Sequence, residues 1–194
     1  MKYLGMRKVC EGRFITRYDV DYETADGKMK TYEMISRNRD MKDLKDLNNP
    51  KVDSVIIIAT DETDSRILLC REFRMAMGVF IYNFPAGLID PGETPEESAR
   101  RELMEETGLE LTSVEDVIDY SYGAIGFSNE RNICITGRAA GEFARSSSTF
   151  EEIKAGWYTP REVMDLIRTE PFAARTQAWC YQWAKNKLRE EGAE

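Results

Sequence analysis

The segment from residue 94 to residue 107 is predicted to form a helix whose two ends are specified by its own sequence. Thr94 can cap the N-terminus, Pro95 stands at the first helical position, and Glu97 completes a capping box. Gly108 stands where a left-handed residue is needed to end a helix. A helix with both ends defined locally limits the folds that this part of the chain can adopt.

Glu102, Glu105 and Glu106 stand at positions i, i+3 and i+4 of this helix, so they share one face. Carboxylates at this spacing repel one another. Ala99 and Leu103 form a neighbouring apolar stripe that should face a core, which sets the acidic face beside packed structure. A divalent cation would compensate the cluster, and a merely solvated helix face is the alternative interpretation.

The chain contains no histidine. This excludes Ser-His-Asp and Cys-His catalysis, histidine-based zinc sites and a histidine general base. Acid–base chemistry would therefore fall to carboxylates, Lys, Tyr or Cys. A bound metal would be a hard ion held by oxygen, such as Mg²⁺, Mn²⁺ or Ca²⁺. The four cysteines are far apart and form no C-x-x-C pair, so we interpret them as reduced and buried.

Composition bounds the partners and the location. The formal net charge of −8 weakly disfavours a long nucleic acid as partner and leaves small nucleotides open. No run of about 18 apolar residues occurs, so no membrane-spanning segment is predicted. The first residues lack the apolar core of a signal peptide, and we expect a cytoplasmic protein.

Alternating apolar residues between positions 13 and 36, with a turn at Asp26-Gly27, predict an N-terminal β-hairpin. Asn48-Asn49-Pro50 breaks the chain, so residues 1–50 are interpreted as a β extension and residues 51–194 as the main domain. Strands and helices follow without strict alternation, which favours an α/β sandwich over a doubly wound sheet. The predicted strands are 52–60, 66–73, 116–122, 132–139 and 153–158, and the predicted helices are 94–107, one opening at Thr159, and 174–189.

The segment from Gly87 to Leu109 resembles the Nudix box at every specified position. The matching residues are Gly87, Glu93, Arg101, Glu102, Leu103, Glu105, Glu106, Gly108 and Leu109. The match is specific, because seven exact letters at a frequency of roughly 0.07 each coincide by chance about 10⁻⁸ times per start position. In that family the box forms a loop–helix–loop on an α/β/α sandwich, so the resemblance implies that fold with a mixed sheet and an N-terminal β-hairpin extension.

The same resemblance implies roles for individual residues, with Mg²⁺ or Mn²⁺ as cofactor. The implied metal ligands are the backbone carbonyl of Ala86 and the side chains of Glu102, Glu105 and Glu106. Glu106 is the strongest of these, and Glu105 is also assigned to catalysis. Arg101 is assigned to catalysis because it would orient a glutamate. The implied structural residues of the motif are Gly87, Glu93, which would pair within it, and Gly108.

The wider chain resembles the ADP-ribose pyrophosphatase group of that family. Arg71-Glu72-Phe73-Arg74 is similar to a strand carrying a phosphate-binding arginine, with Arg74 as the candidate. Phe84 to Asp90 is similar to the entry into the box, and the segment ending at Glu130 is similar to the stretch after it, which makes Glu130 a substrate-binding candidate. That group dimerises through an N-terminal sheet, so a homodimer is expected. Tyr18 and Tyr22 on this sheet could stack on adenine, or they could pack in a core or an interface.

Two features of the resemblance leave alternatives open. Ile125 stands where the group usually has proline, so the group X attached to the nucleoside diphosphate is not identified. The loop of residues 140–152 offers Glu142, Glu151 and Glu152 as the general base. We favour Glu151 and Glu152 because they directly precede a strand, and a solvated loop charge is the alternative for each.

The predicted function is metal-dependent hydrolysis of the pyrophosphate bond of a nucleoside diphosphate linked to X. ADP-ribose or a related sugar nucleotide is the favoured substrate, with a nucleoside monophosphate and a sugar phosphate as products. The alternatives are a non-catalytic nucleotide-binding regulatory domain and an enzyme acting on another dinucleotide. The expected partner is thus a small nucleotide, with neither long nucleic acid nor membrane.

Overall fold

The computed structural model describes residues 1–49, 51–146, 152–190 and 192. The chain forms two compact units. The first consists of Met1–Asp53 and Tyr120–Ile133, and the second of Ser54–Asp119 and Cys134–Glu194. The predicted division after residue 50 therefore lies close to the end of the first segment, but residues 120–133 also join the N-terminal unit, which the linear pattern did not predict.

The first unit contains a three-stranded antiparallel sheet. Its strands are β1 (Lys2–Glu11), β2 (Thr16–Glu23) and β3 (Met29–Ser36), with β2 in the centre. The predicted hairpin is confirmed as β2 and β3. Strand β1 was missed because it is mostly exposed and has register shifts at Tyr3/Gly5 and Lys8/Cys10, so its sequence shows no sustained alternation.

A small core holds the first unit together. Four buried side chains form this core: Tyr18, Val20, Met34 and Met41. The short helix α1 (Leu44–Leu47) follows Met41 in the sequence. The segment after residue 120 joins this unit through the backbone, because Ile35 N–H donates to the carbonyl of Phe127 at 2.8 Å. Main-chain hydrogen bonds of this kind satisfy polar groups that two separate segments would otherwise leave unpaired.

The second unit is built on a seven-stranded sheet. The strands run in the order β10 (Ile153–Tyr158), β5 (Ile67–Arg74), β4 (Ser54–Thr60), β9 (Arg131–Ala140) and β8 (Glu110–Tyr122). Two further strands join them: β6 (Val79–Asn83) pairs with β5, and β7 (Ala86–Leu88) pairs with β4, both antiparallel. Strand β7 is only three residues long and is not among the strands predicted from the sequence.

Three helices complete the second unit: α2 (Pro95–Thr107), α3 (Pro160–Thr169) and α4 (Ala174–Glu190). Alternate residues of β4 point to opposite sides of the sheet. Ile56 and Ile58 pack with Val163 of α3 and Cys180 of α4, whereas α2 contacts β4 and β7 through the box segment. The mixed α/β fold expected from the sequence is confirmed. No helix in the described ranges has the length and apolarity to cross a membrane.

The turn between β4 and β5 is organised by one buried carboxylate, Asp61. It accepts hydrogen bonds from Ser65 N–H at 2.8 Å and Arg66 Nε at 2.8 Å. Burial alone would raise the pKa of Asp61, but the hydrogen bonds from Arg66, Ser65 and Thr63 outweigh it and lower the pKa to about 2. Asp61 is therefore ionised in the folded protein and fixes the join between two central strands.

Candidate active site

Helix α2 begins and ends as its sequence predicts. The Thr94 side chain accepts from Glu97 N–H, and the Glu97 carboxylate accepts from Thr94 N–H at 2.8 Å, so the capping box is complete. Gly108 has φ 78° and donates its N–H to Met104 at 2.9 Å. Its left-handed conformation is one that glycine adopts without strain. The caps fix which helical residues face the sheet.

The three glutamates of the helix are buried to very different extents. Glu106 is buried, with 8% of its surface exposed. The Glu102 side chain is 15% exposed and that of Glu105 is 49% exposed. The three carboxylates of the predicted acidic face thus differ in exposure, since Glu105 lies at the rim and Glu106 lies against the sheet. A carboxylate buried to this degree needs compensating positive charge or hydrogen bonds.

Strand β7 approaches Glu102 so closely that any side chain at position 87 would displace the Glu102 carboxylate. A Cβ placed on Gly87 would lie 1.9 Å from Cδ of Glu102 and 2.1 Å from its Oε1. The requirement is for space, because the φ of Gly87 is not in the left-handed region. This contact sets the Glu102 carboxylate directly against the strand that contains Ala86.

The guanidinium of Arg101 holds this region together. It donates to both carboxylate oxygens of Glu93, at 2.9 and 2.8 Å, and to Oε1 of Glu102 at 2.8 Å. It also donates to the Leu88 carbonyl at 3.1 Å and lies 3.5 Å from Glu105. The pairing of Glu93 within the motif and the contact of Arg101 with glutamates are therefore present in the fold. Such bidentate pairing is the geometry for which arginine is suited.

Electrostatics within the motif follow from these contacts. The hydrogen bonds from Arg101 and then Ser98 lower the pKa of Glu93 to about 2. Glu93 in turn raises the already high pKa of Arg101, although desolvation opposes the change. Both groups therefore keep their charges over the whole working range of pH. Ser98, which donates to Glu93 at 2.6 Å, supports the pair from one turn earlier.

The chemistry of the site fits a hard cation. The donors that lie together are carboxylates and the main chain of β7, which are the oxygen ligands that Mg²⁺ and Mn²⁺ prefer. The contact between Gly87 and Glu102 brings these donors side by side. Within the described ranges no group of three or more Asp, Glu or Cys side chains is already arranged to hold an ion. Instead Arg101 supplies positive charge to Glu102 and Glu105.

Strand β5 contributes a polar face to the same unit. Cys70, Glu72 and Arg74 alternate along it and so lie on one side of the sheet. Burial raises the pKa of the Cys70 thiol, and the negative charges of Glu106 and then Glu72 raise it further, which indicates that both carboxylates lie near this thiol. Arg74, the predicted phosphate-binding residue, has a side chain that is 53% exposed.

Sequence reasoning missed the buried polar contacts behind this strand. Glu72 accepts a hydrogen bond from the Asn83 amide at 2.9 Å, and Asn83 accepts one from the Thr176 hydroxyl at 2.8 Å. The only signal in the sequence is that Glu72 and Arg74 are two residues apart on a strand, which predicts a shared face. Nothing in the sequence connects them to β6 or α4.

The loop that was expected to supply the general base is described in part. Glu151 lies outside the described residues. Glu152 is exposed, and its carbonyl accepts from Phe73 N–H of β5 at 3.0 Å, so it lies beside the strand that carries Arg74. Glu142 is also exposed. Ala144 N–H donates to Thr107 at 2.9 Å, which holds the start of this loop against the end of α2.

Three predicted substrate-binding residues belong to the first unit. Tyr18 is fully buried, and its hydroxyl donates to the Asn38 carbonyl at 2.9 Å. Its ring is therefore part of the core and has no exposed face on which a base could stack. Tyr22 is half-buried and borders an open hollow of about 320 Å³ that Tyr32, Tyr122 and Ile125 also line. Glu130 is partly exposed and lies 3.6 Å from Arg37.

Comparison with known proteins extends the similarity from the box to the whole domain. The NUDIX domain model matches residues 50–180. Over 132 residues the chain is 30% identical to ADP compounds hydrolase NudE of Escherichia coli (strain K12), covering 68% of this chain and 63% of the relative. It is 32% identical over 103 residues to an ADP-sugar pyrophosphatase of Mus musculus, covering 52% of this chain and 44% of the relative.

A further relative and a solved structure agree with these matches. The chain is 29% identical over 129 residues to an ADP-ribose pyrophosphatase of Bacillus subtilis (strain 168), covering 66% of this chain and 61% of the relative. A crystal structure of an ADP compounds hydrolase has the same fold, with a TM-score of 0.73 and 21% identity over 100% of this chain and 98% of that chain. The matched segments span roughly half to two thirds of the curated relatives, from 44% to 63%. On the domain match and the intact box, the chain belongs to the Nudix family.

Proposed function

We propose that this chain hydrolyses the pyrophosphate bond of a nucleoside diphosphate linked to X in a reaction that depends on Mg²⁺ or Mn²⁺. The observation that carries the proposal is the seating of the Glu102 carboxylate against Gly87, with Arg101 bound to Glu102 and to Glu93. The Glu102 side chain is only 15% exposed, which argues against a merely solvated helix face. Pyrophosphate hydrolysis needs neutralised phosphate oxygens and an activated water, and both fit an all-oxygen site.

Individual residues receive roles within this proposal. The residues that would hold the metal are the carbonyl of Ala86 and the side chains of Glu102, Glu105 and Glu106. When bound, such an ion lowers the pKa of a coordinated water and neutralises phosphate charge. Arg101 orients Glu102, because its guanidinium is itself fixed by the permanently ionised Glu93. Arg74, exposed at the end of β5, would bind a phosphate of the substrate.

The proposed substrate is ADP-ribose or a related ADP-sugar, giving AMP and a sugar phosphate. The names of the relatives from mouse, E. coli and B. subtilis support this class of compound. Tyr22 and Glu130 remain candidates for contacts to the nucleoside. Glu151 and Glu152 remain candidates for the general base, and a homodimer remains part of the proposal.

A panel of nucleoside diphosphate compounds tests the activity. ADP-ribose, other ADP-sugars, NADH and a nucleoside triphosphate are incubated with the protein and Mg²⁺, and the products are separated by chromatography. We expect AMP and a sugar phosphate from the ADP-sugars, and no turnover when EDTA is added. Absence of hydrolysis of every compound at high protein concentration would refute the enzymatic proposal. Thermal stabilisation by a nucleotide without turnover would instead favour a regulatory binding domain.

Glu106→Gln tests the metal site on its own. Glutamine keeps the shape of the side chain and removes the negative charge that would bind the ion. We therefore expect kcat to fall by about 10²-fold or more, a size typical of lost charge stabilisation in an active site. Glu96→Gln is the matched control, because Glu96 is on the same helix and pairs only with exposed Arg100 in the contacts described. Circular dichroism should be unchanged for both. A near-normal rate for Glu106→Gln would remove Glu106 from the metal site.

A further inference from the structure

A chain of hydrogen bonds runs from helix α4 to the exposed end of strand β5. The hydroxyl of Thr176, which is fully buried, donates to Oδ1 of Asn83 at 2.8 Å. The Asn83 amide donates to Oε1 of Glu72 at 2.9 Å. The other oxygen of Glu72 lies 3.5 Å from Nη1 of Arg74. Four side chains from three elements therefore form one continuous series, which we call the β5 relay.

The donors and acceptors of the β5 relay can be arranged in only one direction. An ionised carboxylate accepts hydrogen bonds and cannot donate them, so the NH₂ group of Asn83 must face Glu72. This leaves Oδ1 of Asn83 facing Thr176, whose hydroxyl must then donate. The carboxylate thus determines how the amide is oriented, and the buried hydroxyl holds the amide in that orientation. Removing the first donor loosens each contact that follows it.

The β5 relay ends at the residue proposed to bind phosphate. The Glu72 side chain is only 13% exposed, whereas that of Arg74 is 53% exposed. An exposed arginine samples many rotamers and loses that freedom when it binds. A carboxylate that is held in place beneath it limits the sampling. Strand pairing supports the same picture, because Asn83 is opposite Cys70 and so shares the face of the sheet with Glu72 and Arg74.

We propose that Thr176, Asn83 and Glu72 are positioning residues that hold Arg74 in the orientation in which it binds the diphosphate of the substrate. The inference rests on the proposed function for the role of Arg74 and extends it to residues outside the box. None of the three needs to touch the substrate. Their effect is on substrate affinity, because the pre-ordered guanidinium binds the diphosphate equally in the ground state and in the transition state. Such an interaction changes KM and leaves kcat nearly unchanged.

Thr176→Val tests the proposal by removing the hydroxyl while keeping the shape of the side chain. We expect KM for ADP-ribose to rise about three- to tenfold, the range for loss of one buried hydrogen bond, with kcat within about twofold of the unaltered protein. Thr176→Ser retains the hydroxyl and should restore KM. Asn83→Asp replaces the donor to Glu72 with a second carboxylate, so its effect on KM should exceed that of Thr176→Val. Thr169→Val is the matched control, since its exposed hydroxyl bonds only the Asp165 carbonyl of its own helix among the contacts described.

Three outcomes would overturn the proposal. These are an unchanged KM in Thr176→Val, an equal rise of KM in Thr176→Ser and Thr176→Val, or a rise of KM in Thr169→Val as large as that in Thr176→Val. Calorimetric titration of ADP-ribose in EDTA separates failure of the relay from failure of the proposed function. If the unaltered protein binds but does not hydrolyse ADP-ribose, a Kd raised in Thr176→Val and restored in Thr176→Ser still supports the relay. If it neither binds nor hydrolyses ADP-ribose, the relay is refuted with the function.

Discussion

Replacing Gly87 with alanine should disable the site without unfolding the protein. The added methyl would lie 1.9 Å from Cδ, 2.1 Å from Oε1 and 2.3 Å from Oε2 of Glu102. Non-bonded carbon atoms normally approach to about 3.5 Å. The carboxylate must therefore move by more than 1 Å, on the order of the difference between these distances. Because the obstructed atoms are the end of a flexible side chain, the movement requires little change in the backbone.

The expected effects on activity and on stability differ in size. A misplacement of about 1 Å in a reacting constellation can cost about 10²-fold in rate, which corresponds to about 2.7 kcal/mol of transition-state stabilisation. The displaced Glu102 also loses its contact with Arg101, but a partly exposed ion pair contributes only about 0 to 1 kcal/mol to folding. For a chain of this length that is a fall in Tm of no more than about 4 °C.

The assay compares kcat/KM for ADP-ribose with Tm measured by scanning calorimetry. Gly5→Ala is the control, because a Cβ there meets nothing within 4 Å and the backbone is not left-handed. It should leave both quantities unchanged. If Gly87→Ala retained the normal kcat/KM, the position of Glu102 against β7 would have no part in catalysis. If Tm fell by about 10 °C or more, the loss of activity would reflect damage to the fold.

Three further variants probe the electrostatics and the core. Arg101→Lys replaces the planar guanidinium, which reaches Glu93 and Glu102 from three nitrogens, with a single ammonium that lacks this fork geometry. We expect kcat in steady-state kinetics to fall about 10- to 10²-fold with little change in KM, and an unchanged kcat would contradict the orienting role. Asp61 has a pKa lowered from 3.8 to about 2, so it contributes about 2 kcal/mol of stability that is present above pH 3.8 and is lost as the pH falls toward 2. Asp61→Asn should therefore lower the free energy of unfolding in urea at pH 6 and flatten its pH dependence between pH 5 and 2. A pH profile of the variant that runs parallel to that of the unaltered protein would refute this. Leu103→Ala, at a fully buried position, should lower the free energy of unfolding by about 2 to 5 kcal/mol, and a loss below about 1 kcal/mol in a urea titration would contradict its place in the core.

The sequence alone determined the features that depend on residues close together in the chain. Both ends of α2 were predicted, because capping depends on residues within one turn of each other. The common face of Glu102, Glu105 and Glu106 follows from helical periodicity in the same way. The lack of histidine, together with the wide spacing of the four cysteines, favoured oxygen ligands for any metal site, and both features are read directly from the sequence.

Features that depend on distant residues could not be predicted in this way. Strand β7 is three residues long and is a strand only because β4 pairs with it. Tyr18 shows the same alternation as Tyr22, yet Tyr18 is buried with its hydroxyl bonded and Tyr22 is partly open, and periodicity cannot distinguish two residues on one face of a strand.

The individual roles of the glutamates also required the tertiary structure. Their spacing makes Glu102, Glu105 and Glu106 equivalent, but the approach of β7 seats Glu102, packing against the sheet buries Glu106, and Glu105 is left at the rim. The β5 relay joins residues up to 104 positions apart, from Glu72 to Thr176, through side chains only. Local patterns determine which residues share a face, whereas long-range packing decides what that face contacts, and here packing gives each of the three glutamates a different environment.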